Sequence, residues 1–87
     1  MKIVVRKPTP AEKKEAERWG IWEKEPSEFE WSYSEQETCL ILEGKATVVP
    51  QEGASAAFGA GDYVIFPQGM QCTWKIEKKI RKHYRFG

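Results

Sequence analysis

Two stretches decide how this chain folds: Glu37-Thr38-Cys39-Leu40-Ile41-Leu42-Glu43-Gly44, and Gly61-Asp62-Tyr63-Val64-Ile65-Phe66-Pro67-Gln68-Gly69-Met70-Gln71-Cys72. In an extended strand successive side chains alternate faces, so Glu37, Cys39 and Ile41 share one side and Thr38, Leu40 and Leu42 the other. A strand that is apolar on both sides has to be covered on both sides. Gly44 reads as a turn from that strand into Lys45 to Val49. In the second stretch, Tyr63 to Phe66 reads as a strand between two turns. Pro67 closes it, because proline has no N–H to donate to a ladder. Gly69 supplies the residue without a Cβ that a tight turn accommodates most easily. After it, Cys72, Trp74 and Ile76 share a face.

Working outward, the same strand-and-turn grammar covers nearly everything after Gly20. Ile21 and Trp22 begin one segment, which Pro26-Ser27 breaks. Phe29, Trp31 and Tyr33 alternate with Glu28, Glu30 and Ser32, the period-two mark of a half-buried strand. Pro50-Gln51-Glu52-Gly53 and Gly59-Ala60-Gly61-Asp62 are turns, with a weak strand at Ala56 to Phe58 between them. Gln71 to Ile76 and Ile80 to Phe86 complete the series. Seven or eight short strands with frequent turns predict an all-β barrel or sandwich. Upstream, Lys2 to Arg6 reads as a strand. Thr9-Pro10-Ala11-Glu12 then opens a helix with a capping box and proline at its first position. That helix runs on through Arg18, with Gly20 as its stop. Only Ala11, Ala16 and Trp19 give it apolar grip.

Composition bounds the answer. A chain of 87 residues makes one domain, residues 1–87, with no linker or low-complexity tract. A domain of this size buries only about 60–65% of its unfolded surface, so dense packing or a partner is needed. Four Trp, three Tyr and four Phe supply bulky core material. A net charge of +1, from 14 Lys and Arg against 13 Asp and Glu, leaves no footprint for nucleic acid or an anionic membrane. Apolar runs such as Ile3 to Val5 are too short for a span or a signal peptide. A soluble, cytoplasmic protein is expected, with Cys39 and Cys72 as reduced thiols. The doubly apolar strand from Thr38 argues for a homodimer in which the first strand adds to a neighbour's sheet edge. The alternative is that the helix alone covers that surface.

The two stretches resemble the two motifs of the cupins, small antiparallel jelly-roll barrels. The first cupin motif has two His one residue apart, then a Glu, six residues and a Gly. Here Glu37 and Gly44 keep that spacing, and Trp31 and Tyr33 stand where the two His belong. The second motif runs Gly, five residues, Pro-x-Gly, two residues, His, three residues, Asn. Gly61, Pro67 and Gly69 match it, with Cys72 in the His position and Ile76 in the Asn position. Trp22-Glu23-Lys24-Glu25, Leu42-Glu43-Gly44 and Arg81-Lys82-His83-Tyr84 look like the short single-domain cupins grouped with the (S)-ureidoglycine aminohydrolase cupin domain. The resemblance implies an antiparallel jelly-roll cupin barrel with one short N-terminal helix. It also implies that Glu37 and Cys72 point into the barrel mouth from facing sheets.

The contents of that mouth set the chemistry. A cupin metal site uses three His and one Glu, whereas this chain keeps Glu37 alone. No metal or other cofactor is expected. Should a divalent metal bind, Glu37, Cys72, Tyr33 and His83 are the ligands available, and a first-row ion needs at least three good ones. The favoured reading is a metal-free pocket for a small organic molecule, walled by Trp31, Tyr33 and Trp74 with Glu37 and Cys72 at its floor. Lys82 or Arg81 is placed to offset the charge of a buried Glu37. One alternative is an enzyme related to ureidoglycine aminohydrolase that is metal-dependent or uses the Glu37 carboxylate as acid and base, with Glu37 and Cys72 as the candidate catalytic residues. Another is a dimeric scaffold with a filled barrel. A Cys72–His83 nucleophile pair needs His83 to face inward. Alternation puts Arg81, His83 and Arg85 on one face of the last strand and Lys82, Tyr84 and Phe86 on the other, without saying which is inside.

Overall fold

A computed structural model describes residues 2–87. In chain order the elements are β1 (Val4–Arg6), α1 (Pro10–Ala16), β2 (Gly20–Lys24), β3 (Ser27–Ser32), β4 (Glu37–Pro50), β5 (Ala56–Gly59), β6 (Tyr63–Phe66) and β7 (Gln71–Phe86). Every strand pair is antiparallel. The two long strands β4 and β7 run side by side and bend together, so that each belongs to two layers. The first half of β4 and the second half of β7 build one layer, in the order β1-β6-β4-β7-β2. Their other halves build the facing layer, with β5 beside β4 and β3 beside β7. This is the all-β cupin jelly roll that the two motifs imply.

The bend explains where the sequence reading needs correction. Gly44 is not a turn between two strands but a point inside β4, at φ +98°. Glu43 pairs with Arg81 and Lys45 with Lys78, so the ladder slips there. The slip changes which residues face inward: β4 buries Glu37, Cys39 and Ile41 before it, and Ala46 and Val48 after it. A Cβ on Gly44 would collide with the backbone carbonyl of Lys79. In the same way Gln71 to Ile76 and Ile80 to Phe86 form one strand, because β4 bonds to β7 on both sides of the bend.

The core between the layers is aromatic. Trp74 and Phe66 are fully buried with ring centroids 5.4 Å apart, and Phe58 meets each of them edge-on. Burying each such ring contributes about 1.5–3 kcal/mol. A second, smaller cluster lies outside the first layer, where Ala16 of α1 and the following Trp19 cover Leu40 and Tyr63. Chain from the helix therefore covers part of the outer face of β4. The Thr9 capping box and Pro10 start α1 as read, but it ends at Ala16, earlier than expected. Trp19 leaves the helix to pack on Tyr63, and Gly20 opens β2 opposite Tyr84, whose ring lies where a Cβ would stand.

Candidate functional site

The site is assembled where β4 begins. Glu37, its first residue, pairs with Phe66 on one side and Phe86 on the other, which carries its side chain inward between the layers. Tyr33 follows β3 and is held by its backbone: its N–H donates to the Met70 carbonyl at 2.9 Å, and Gly69 N–H donates to its carbonyl at 2.6 Å. The Pro67-Gln68-Gly69 turn thus fixes Tyr33 beneath Glu37. Its ring stacks on Phe66 with centroids 5.1 Å apart. Lys82 comes from the second half of β7, opposite Ile41 and Trp22.

These side chains form one hydrogen-bonded chain. Trp74 Nε1 donates to Tyr33 Oη at 3.3 Å, Tyr33 Oη donates to Glu37 Oε1 at 2.9 Å, and Lys82 Nζ donates to Glu37 Oε2 at 2.7 Å. Glu37 and Lys82 are both buried. The ammonium also lies 4.6 Å from the Trp22 ring centroid and 4.7 Å from that of Trp74, within reach of a cation–π attraction. Burial, and then the neighbouring Glu37 carboxylate, push the Tyr33 hydroxyl far above its ordinary pKa. Tyr33 therefore stays a neutral donor.

Above this floor is a cavity of about 130 Å³. Its walls are Trp22, Phe29, Trp74 and Tyr84, with Trp31 and Phe86 at the rim, and its floor is Tyr33, Glu37 and Lys82. Phe29 stacks on Trp74 at 6.1 Å, with Trp22 edge-on to Trp74. Trp31, 47% exposed, is the most open of the wall residues expected from sequence. Trp31, Tyr33, Glu37 and Trp74 are brought together. Cys72 is not among the lining residues: it lies buried beside β3, its Sγ directed at the Trp31 carbonyl at 3.6 Å. Burial, with Glu37 adding to it, pushes that thiol up to about 11. His83 faces away from the mouth, paired with Leu40 and Ile21 on the other side of β7. A Cys72–His83 pair does not form.

Lys82, Trp22, Phe29, Tyr84 and Phe86 were not among the sequence-assigned pocket residues. The signal for Lys82 was present: Trp74, Ile76, Ile80, Lys82 and Tyr84 are all even-numbered and all turn inward. Dividing 71–86 into two strands erased that phase.

The donors at the mouth do not fit a divalent metal. Each Glu37 oxygen already accepts a hydrogen bond, the Tyr33 phenol keeps its proton, the Cys72 thiol is turned to a backbone carbonyl, and a protein cation stands 2.7 Å from the carboxylate. Among the described residues no three His, Cys, Asp or Glu side chains come together as a metal set.

Comparison with known proteins agrees with this architecture. A DUF861 family protein from Thermotoga maritima is 46% identical over 99% of this chain and 100% of its own, with a TM-score of 0.94. A DUF861 protein from Pseudomonas syringae pv. tomato is 28% identical at a TM-score of 0.69, over 78% of this chain but 29% of its own. A putative ethanolamine utilization protein Q from Salmonella typhimurium, 24% identical over 77% of this chain and 54% of its own, shares the fold at a TM-score of 0.69. Among curated proteins none matches. The family model of the EutQ-like cupin domain matches residues 11–84, and this chain therefore belongs to that family.

Proposed function

We propose that the chain binds a small organic molecule in the aromatic cavity at the barrel mouth, with no metal in the site. One observation carries this reading: aromatic rings line a half-open space of about 130 Å³ whose floor is a buried Glu37–Lys82 pair. A comparable apolar cavity, about 150 Å³, holds a benzene ring. A few convergent polar groups in an otherwise apolar cleft are the usual form of a small-molecule site. The metal-dependent alternative has less support, because the donors that would activate substrate or water are already engaged with one another.

Trp22, Trp31 and Trp74 line the space, so occupancy changes tryptophan emission directly. Titration with a panel of small organic acids, amides, ureides and sugars should give a saturable one-to-one change for at least one compound. Trp31→Ala should weaken it. No response across the panel, with stoichiometric metal in protein prepared without a metal-affinity step, overturns the reading.

We also propose that two chains associate through β1. This strand ends the first layer, and its Val4 and Val5 are each 37% exposed. Sedimentation equilibrium should return twice the 10.1 kDa chain mass, and a mass of one chain at 100 µM sinks the proposal.

A further inference from the structure

We infer that the ligand is a neutral, planar molecule presenting an amide or lactam edge, a carbonyl beside an N–H, to Lys82 and Glu37. The inference rests on the cavity reading above and adds the ligand's chemical class. An ammonium carries three N–H donors, and Lys82 gives one to Glu37; among the described residues the others meet no oxygen or nitrogen acceptor but only the weakly accepting ring faces of Trp22 and Trp74, which a ligand carbonyl would outcompete. A carboxylate offers about four acceptor positions. Those of Glu37 receive one bond from Tyr33 and one from Lys82. Both side chains line the cavity floor, so spare donors and spare acceptors lie side by side there.

Charge narrows the choice. Glu37 and Lys82 neutralise each other, and Tyr33 adds no charge. A ligand carboxylate would leave the buried site with one net negative charge beside Glu37, and a ligand ammonium would leave one net positive charge beside Lys82. Either imbalance is costly away from water. Lys24, the other cation near the walls, lies 5.0 Å from the Phe29 ring centroid but is exposed, where water and salt screen it. A neutral edge with one acceptor and one donor adds hydrogen bonds without adding charge. The walls set the rest of the molecule: the rings of Trp22, Phe29 and Trp74 line the space and suit a flat conjugated body.

The test is a tryptophan-emission titration with four molecules of similar shape: benzamide, benzoate, benzylammonium and toluene. Benzamide should bind at least tenfold more tightly than each of the others. Glu37→Gln removes the negative charge while keeping shape, and should move the preference to benzoate. Lys82→Met should move it to benzylammonium, and if that variant does not fold, Glu37→Gln alone decides. Binding of benzoate or benzylammonium to the wild-type protein as tightly as benzamide overturns the inference and leaves the cavity reading standing. Equal binding of toluene does the same. No binding by any of the four, together with an empty panel result, removes both.

Discussion

Lys82 Nζ lies 2.7 Å from Glu37 Oε2, with the two side chains only 5% and 3% exposed. A surface pair of this geometry would be worth little. Here both charges have left water, so each depends on the other. The carboxylate is held by a phenol and an ammonium at once, and the ammonium leans on two indole faces. This is the arrangement that gives a barrel mouth with no imidazole in its lining a polar floor.

Removing one partner should therefore be more damaging than removing both. Lys82→Met alone is expected to destabilise the fold by about 3–5 kcal/mol, since Glu37 is left as an uncompensated buried charge. Adding Glu37→Gln should recover a large part of that loss. Urea denaturation of the two single variants and the double variant measures the coupling. A double variant no more stable than the worse single one contradicts the argument.

Gly44→Ala is expected to be among the most harmful small substitutions in the chain. The position has φ +98°, and its new methyl group would meet the Lys79 carbonyl, which lies between the ladder pairs Lys45–Lys78 and Glu43–Arg81. Left-handed strain alone is worth about 1–3 kcal/mol, and the collision adds to it. Gly87→Ala is the control: it has φ +102° with nothing within 4 Å, and sits at the chain end. Thermal melts should show a large drop for the first and almost none for the second.

Cys39 and Cys72 should be unreactive in the folded protein. Burial pushes the first thiol up to about 12 and the second to about 11. At pH 8 their thiolate fractions fall roughly a hundredfold or more below that of a free cysteine. Modification by 5,5′-dithiobis(2-nitrobenzoate) should be slow in buffer and release two equivalents rapidly in denaturant. Rapid native modification of one equivalent would point to an activated thiol.

Acid should loosen the N-terminal segment first. Arg6 and the Thr9 N–H hold the Glu12 carboxyl down at about 2, from an ordinary value near 4.5. A lowered folded-state pKa means that this contribution is complete above the ordinary value and disappears as pH falls towards 2. Thr9→Ala should remove about 1 kcal/mol of helix capping at neutral pH. Glu12→Gln should flatten the pH dependence of amide exchange in residues 9–13 between pH 5 and 2. An unchanged profile in that variant rules out Glu12 as the group responsible.

How much of this was legible in the sequence depends on where the periodicity held. Phe29 and Trp31 alternate cleanly with Glu28, Glu30 and Ser32, and their strand came out in place, with Tyr33 just beyond its end. The spacing from Glu37 to Gly44 and from Gly61 to Cys72 carried the barrel. Gly44 misled, because a glycine that permits two crossing backbones to touch looks, in one dimension, like a glycine that permits a turn. That confusion divided β4, and the matching division of β7 at Glu77–Lys79 hid the inward run to Lys82. The dominant cation of the site therefore stood in plain sight without a face assigned to it. Cys72 sits in the right motif position, but whether a side chain there enters the mouth depends on packing between layers, which no local pattern records.

Because β4 and β7 each pass through both layers, the sandwich has no seam along which it can be opened. A chain break or an inserted segment near Gly44 or Lys79 would sever front and back together. The loops at 52–55 and 67–69 lie outside that shared spine, but the second is clasped to Tyr33 and so to the floor of the mouth, whereas the first begins only after Gln51 N–H has bonded to the Gln71 carbonyl of β7. Residues 52–55 are thus the natural place to graft a tag, a tether or a new terminus.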